Sequence, residues 1–181
     1  MKRYLAPVLA ALVIGACAHK EEAPVAPAAP PPPPPPTQAH AVLKAAKGSK
    51  IAGTIHFTEA NGEITVKADV TGLKKGSFHG FHIHEVGTCE GDFSSAGGHF
   101  NPTGKKHGSP TAEEKHVGDL GNVKADKKGV LNTTITLKAP LNGPEGIIGK
   151  SIIIHKGKDD LKSQPAGNSG PREACGIIEA M

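Results

Sequence analysis

The chain has 181 residues, with 21 Lys plus Arg against 17 Asp plus Glu, 23 Gly, 16 Pro, one Tyr and no Trp. That composition, with apolar positions held mostly by Val, Ile and Ala, favours short strands and many turns over long helices. The small and dispersed basic excess, with no basic run interleaved with aromatics, argues against a nucleic-acid partner.

Met1-Lys2-Arg3 precedes a short apolar run over residues 4–15, the layout of a secretory signal and too short to span a bilayer. Ile14-Gly15-Ala16-Cys17 resembles the bacterial lipobox. Residues 1–16 are therefore expected to be a removed leader and Cys17 to be acylated, which anchors the chain to a membrane once more than one acyl chain is attached. Loss of Lys2 and Arg3 would leave a net charge of about +2. Residues 23–36 are Ala and Pro with one Val, seven prolines in a row from Pro30. Such a segment cannot bury enough apolar surface to fold, and residues 17–40 are expected to form a semi-rigid tether whose Pro-rich part spans roughly 40 Å.

From residue 41 the text becomes β-like. Strands are expected over residues 41–46, 51–59, 63–71, 78–84, 117–124, 130–137, 151–155 and 176–179, with Asn61-Gly62 the strongest hairpin signal. Ile64, Val66, Ala68 and Val70 alternate with polar neighbours, so one face of that strand is core. Eight short strands without a convincing helix predict an all-β, antiparallel flattened barrel or sandwich over residues 41–181. Two long connections, residues 85–116 and 156–174, interrupt it. Loops of this length are usually functional or disordered, and here they carry histidines.

His82 and His84 are two apart in a strand and leave the same face. His99, His107 and His116 follow, then Asp119, and His155 closes a later strand. His155 reaches the first pair if its strand lies beside theirs. Six imidazoles and one carboxylate exceed one four-coordinate site, while two sites need eight ligands, so one histidine using both ring nitrogens would reconcile the count. Imidazole suits copper and zinc. His19, His40, His56 and His79 fit no cluster and read as surface or packing residues.

These residues carry a resemblance to the copper, zinc superoxide dismutases. It rests on Gly80-Phe-His-Ile-His-Glu85, Ser95-Ala-Gly-Gly-His-Phe-Asn-Pro102, Lys106-His-Gly108, Lys115-His-Val-Gly-Asp-Leu-Gly-Asn122, Ile154-His155 and Arg172-Glu-Ala-Cys-Gly176, in order through residues 41–180. The resemblance implies a Greek-key, immunoglobulin-like sandwich with one copper ion and one zinc ion per chain. By it, His82, His84, His99 and His155 would hold copper, and His99, His107, His116 and Asp119 would hold zinc, with His99 as the bridge. Asp159 would hydrogen-bond His82 and His107, and Arg172 would dock an anionic substrate, superoxide. Ala166 stands where the resemblance places a threonine that narrows the channel, and the loop before Arg172 is shorter than in eukaryotic members. With Cys17 lipidated, Cys89 and Cys175 are the remaining cysteines, and an oxidising compartment would pair them. The activity implied is disproportionation of superoxide in the envelope of a bacterium, on the periplasmic or surface-facing side of a membrane. The alternative is a copper and zinc buffer or copper-delivery module of the same fold. The family pairs its subunits through different faces, so a homodimer is among the expectations.

Overall fold

The computed structural model describes residue 35 and residues 37–181. The expected leader, Cys17 and most of the tether lie outside the described residues, among which no helix is long and apolar enough to cross a membrane. Among the described residues ten strands form, in chain order β1 Gln38–Val42, β2 Lys44–Ala45, β3 Ala52–Ala60, β4 Glu63–Thr71, β5 Phe78–His84, β6 Asp119–Lys124, β7 Leu131–Leu137, β8 Ser151–His155, β9 Arg172–Ile177 and β10 Glu179–Ala180. They make two antiparallel five-stranded sheets, ordered β10-β1-β3-β4-β7 and β2-β9-β8-β5-β6.

The eight expected strands become ten because the chain changes sheets at both ends. The first expected strand breaks at Leu43, so β1 pairs β3 in the first sheet and β2 pairs β9 in the second. Its start at Gln38 also takes three residues from the expected tether. The last expected strand begins four residues earlier than expected and breaks at Ile178. β9 therefore includes Arg172 and Cys175, and β10 returns to pair with β1.

Local chemistry sets the turns. Asn61 and Gly62 both take positive φ, 54° and 78°, as a tight turn between twisted strands requires, and β3 and β4 pair from Ala60 with Glu63 to Ala52 with Thr71. The carboxylate of Asp126 accepts the backbone N–H groups of Lys128 and Val130 at 2.7 and 2.8 Å and closes the β6–β7 turn.

Between the sheets, Ile55, Phe57, Ile64, Val66 and Val70 of the first layer meet Phe81, Ile83, Ile152 and Ile154 of the second. A smaller apolar cluster of Phe93, Ala96, Ile153 and Cys175 lies separately. Ile153 and Ile154 point to opposite faces of β8, so this cluster packs the long loop after β5 onto the outer face of the second sheet. Burial of Phe93 alone contributes roughly 1.5–3 kcal/mol to holding that loop. A disulfide between Cys89 and Cys175, Cα atoms 5.7 Å apart, fixes the same loop to β9.

Candidate metal centre

β5 is buried on both faces. Phe81 and Ile83 enter the core, while His82 and His84 leave the other face beneath the two long loops. β8 runs beside β5, pairing Phe81 with Ile154 and His84 with Ser151, and so brings His155 to the pair. A single bridge between His84 and His99 lays the first loop across the end of β5. His82 faces Asp119 on β6.

Two sets of donor atoms result, each with every atom within 4.8 Å of the others: His82, His84, His99 and His155; and His99, His107, His116 and Asp119. All seven residues are buried, and His99 belongs to both sets.

Hydrogen bonds fix which ring nitrogens keep their lone pairs. His82 Nε2–H donates to Asp159 Oδ2 at 2.7 Å, which leaves Nδ1 as the acceptor. His84 donates Nδ1–H to the Gly97 carbonyl, and His155 donates Nδ1–H to the Gly170 carbonyl, both at 3.0 Å. Their Nε2 atoms then face each other at 3.3 Å with two lone pairs and no proton between them. His82 Nδ1 and His99 Nε2 are buried without a hydrogen-bond partner. Four such nitrogens converging in a dry site repel one another unless a cation lies among them.

In the second set the ring nitrogens gather on one carboxylate oxygen. His107 Nε2–H donates to Asp159 Oδ1 at 3.0 Å, so its Nδ1 lone pair faces Asp119 Oδ1, also at 3.0 Å. His99 Nδ1 and His116 Nδ1 lie 2.7 and 3.3 Å from that same oxygen. The donor sets therefore fit two metal ions, one held by four imidazoles and one by three imidazoles and a carboxylate.

Electrostatics agree with neutral rings and an ionised acid. Burial, then the neighbouring His99 and His155, push His82 well below the usual histidine range. Burial likewise lowers His84 to about 2 and His155 to about 4, against the raising effect of their backbone hydrogen bonds. For Asp119, burial alone would raise the pKa. Hydrogen bonds from His99 and from the backbone N–H groups of His116 and Gly108 outweigh it and hold the carboxyl below the usual range.

Asp159 is fully buried and joins the two sets through His82 and His107. Asn122 clamps its backbone from both sides, donating to the Asp159 carbonyl at 2.9 Å and accepting its N–H at 2.8 Å. Gly167, at φ 67°, passes so close that a Cβ there would collide with the Asp159 carboxylate and His107 Nε2. Gln164 braces His107 by accepting its backbone N–H and donating to its carbonyl, both at 2.9 Å.

Arg172 donates Nη1–H to the Phe93 carbonyl and Nη2–H to the Gly97 carbonyl. The Gly97 oxygen also receives His84 Nδ1–H, so one carbonyl couples the arginine to a metal-set histidine. Arg172 opens on a cleft of about 710 Å³ with Lys47, Asp92, Ser94, Lys156 and Glu173 in its lining. Ala166 and His155 line a smaller cavity of about 160 Å³.

The seven expected residues are brought together and Asp159 bonds His82 and His107 as the resemblance implies, whereas the supports from His79 and Gln164 were not expected. His79, read with the surface and packing histidines, is fully buried. It donates Nδ1–H to the His155 carbonyl at 2.8 Å and accepts from the Ser77 hydroxyl at 2.7 Å. Neither His79 nor Gln164 carries a local signal, because each acts through a partner distant in sequence. Asn122 was visible only as the last residue of a quoted motif. Lys156 borders the Arg172 cleft, while Lys158 sits over the Phe78 ring, 5.5 Å from its centroid.

A β-sandwich carrying two buried donor sets that share one imidazole is the arrangement of a candidate two-metal centre. The family described as copper/zinc superoxide dismutase (SODC) matches residues 51–178, and the chain belongs to that family. A solved crystal structure described as that of the clock protein EA4 is similar, with a TM-score of 0.75 and 40% sequence identity. The similarity covers 81% of this chain and 96% of that one.

Proposed function

We propose that this chain disproportionates superoxide at a copper and zinc centre bridged by His99, and that it does so in a bacterial cell envelope, held to a membrane by lipid on Cys17. The observation that carries the reading is the double use of His99. Its Nε2 faces the imidazole set without a partner, and its Nδ1 lies 2.7 Å from Asp119 in the other set.

Copper held by His82, His84, His99 and His155 would supply one-electron redox chemistry for the conversion of two superoxide ions and two protons into oxygen and hydrogen peroxide, and zinc held by His99, His107, His116 and Asp119 would supply charge without redox change. The chain's own residues do the rest. Asp119 and the two neighbouring imidazoles hold His99 in orientation from the zinc side, so that its Nε2 can hold a proton for the departing peroxide. Asp159 fixes the tautomers of His82 and His107. Arg172, with its guanidinium tied to the Phe93 and Gly97 carbonyls, presents a fixed positive charge to an incoming anion. Lys156 and Lys47 add to the attraction.

Steady-state superoxide loss as a function of ionic strength tests the arginine's role. Arg172→Ala should lower the rate and flatten its salt dependence; a full rate with an unchanged slope would remove Arg172 from the mechanism. Incorporation of a fatty-acid analogue tests the anchor. It should disappear in Cys17→Ser, and unchanged labelling would overturn the anchor.

A further inference from the structure

The buried side-chain polar atoms without a hydrogen-bond partner among the described residues are four imidazole nitrogens: His82 Nδ1, His99 Nε2, His116 Nδ1 and His40 Nδ1. Three belong to the converging donor sets. The fourth lies on the other sheet.

His40 is the middle residue of β1, opposite His56 of β3 on one side and Glu179 of β10 on the other. Ala39, Ala41, Ile55 and Phe57 point into the core, so the three side chains share the outer face of the first sheet. The backbone bonds Leu43 N–H to Gly53 O and Glu59 N–H to Thr37 O set the alternation along this pair. By that alternation His40 and His56 form a non-hydrogen-bonded pair, in which opposed Cα atoms are about 4.5 Å apart and side chains lie closest. The three residues form a row across the strands, and their donor atoms do not gather within 4.8 Å of one another as those of the two buried sets do. His56 and Glu179 are both exposed, and neither is engaged in another side-chain hydrogen bond or ion pair, so both can turn toward the half-buried His40 ring.

We propose that His40, His56 and Glu179 form a third metal site, for a divalent zinc or copper ion, separate from the centre carried by the second sheet. Two imidazoles and a carboxylate match the preferences of those ions, with water in the remaining positions. An ion there would tie β10 and β1 to β3, joining both ends of the folded domain. Its greater exposure makes it weaker than the two buried sites.

Calorimetric titration of zinc(II) into the full chain already loaded with copper and zinc tests this directly. One further equivalent is expected. It should be lost in His56→Ala and in His40→Gln, both of which keep the first two metals. Absence of a third equivalent in the unaltered chain overturns the site, as does its retention in either variant. His56 is exposed and its replacement leaves the core intact, so His56→Ala decides alone should His40→Gln fail to keep its first two metals.

Discussion

Asp159 Oδ2 accepts a hydrogen bond from His82 Nε2 at 2.7 Å, and this bond decides which nitrogen of His82 is left for a metal. The other oxygen of the same carboxylate does the same for His107 in the second donor set. One buried acid thus sets tautomers in both sets, although it belongs to neither.

Replacement of Asp159 by Asn should therefore weaken both sites together. An amide cannot accept two N–H bonds through one oxygen in this geometry, and loss of such a partner costs about 10–100-fold in metal affinity or activity. Competition with a chelator, read separately for copper and zinc, checks this. A loss confined to one metal would contradict the shared role.

The histidines held neutral by burial make the stability of the metal-free chain depend on pH. Unfolded histidines titrate near 6.5. In the fold His155 titrates at about 4, His84 at about 2, and His82 well below its usual value. Between pH 6.5 and 4 the unfolded chain therefore binds protons that the folded chain refuses. Stability is fully present above pH 6.5 and falls as the pH drops, because these histidines take up protons in the unfolded chain before they do in the fold. Denaturant midpoints of the metal-free protein at pH 7 and pH 5 should show this fall. A flat profile would mean that the rings are not held neutral.

Breaking the bridge between Cys89 and Cys175, 86 residues apart, removes a long closed loop from the unfolded ensemble. On chain-entropy grounds Cys89→Ser with Cys175→Ser should cost about 4–5 kcal/mol. The same change frees the loop whose Phe93 and Gly97 carbonyls hold Arg172, so the rate should fall even where the protein is still folded. Equilibrium unfolding together with activity in the folded range measures both effects, and a stable but fully active variant would contradict the second.

Much of this was legible in the sequence because it depends on local pattern. Alternation in residues 63–71 and the Asn61-Gly62 turn placed a hairpin with its register. The His-x-His spacing put two rings on one face of β5. The ends were less legible. Arg172-Glu173 opens β9 without an apolar alternation, and its strand character comes from pairing with β8 and β2. The break at Leu43 follows from the need of one chain segment to serve two sheets. His79 and Gln164 were invisible because their partners, the His155 and His107 backbones, lie 76 and 57 residues away.

The proposed catalyst rests on two donor sets joined through His99. Metal content of the purified chain, measured alongside superoxide consumption, tests it most directly. About one copper and one zinc per chain are expected, with catalytic turnover of superoxide that is lost on removal of copper. Both metals bound at that ratio without turnover would contradict it and would leave a metal buffer or copper-delivery module in its place.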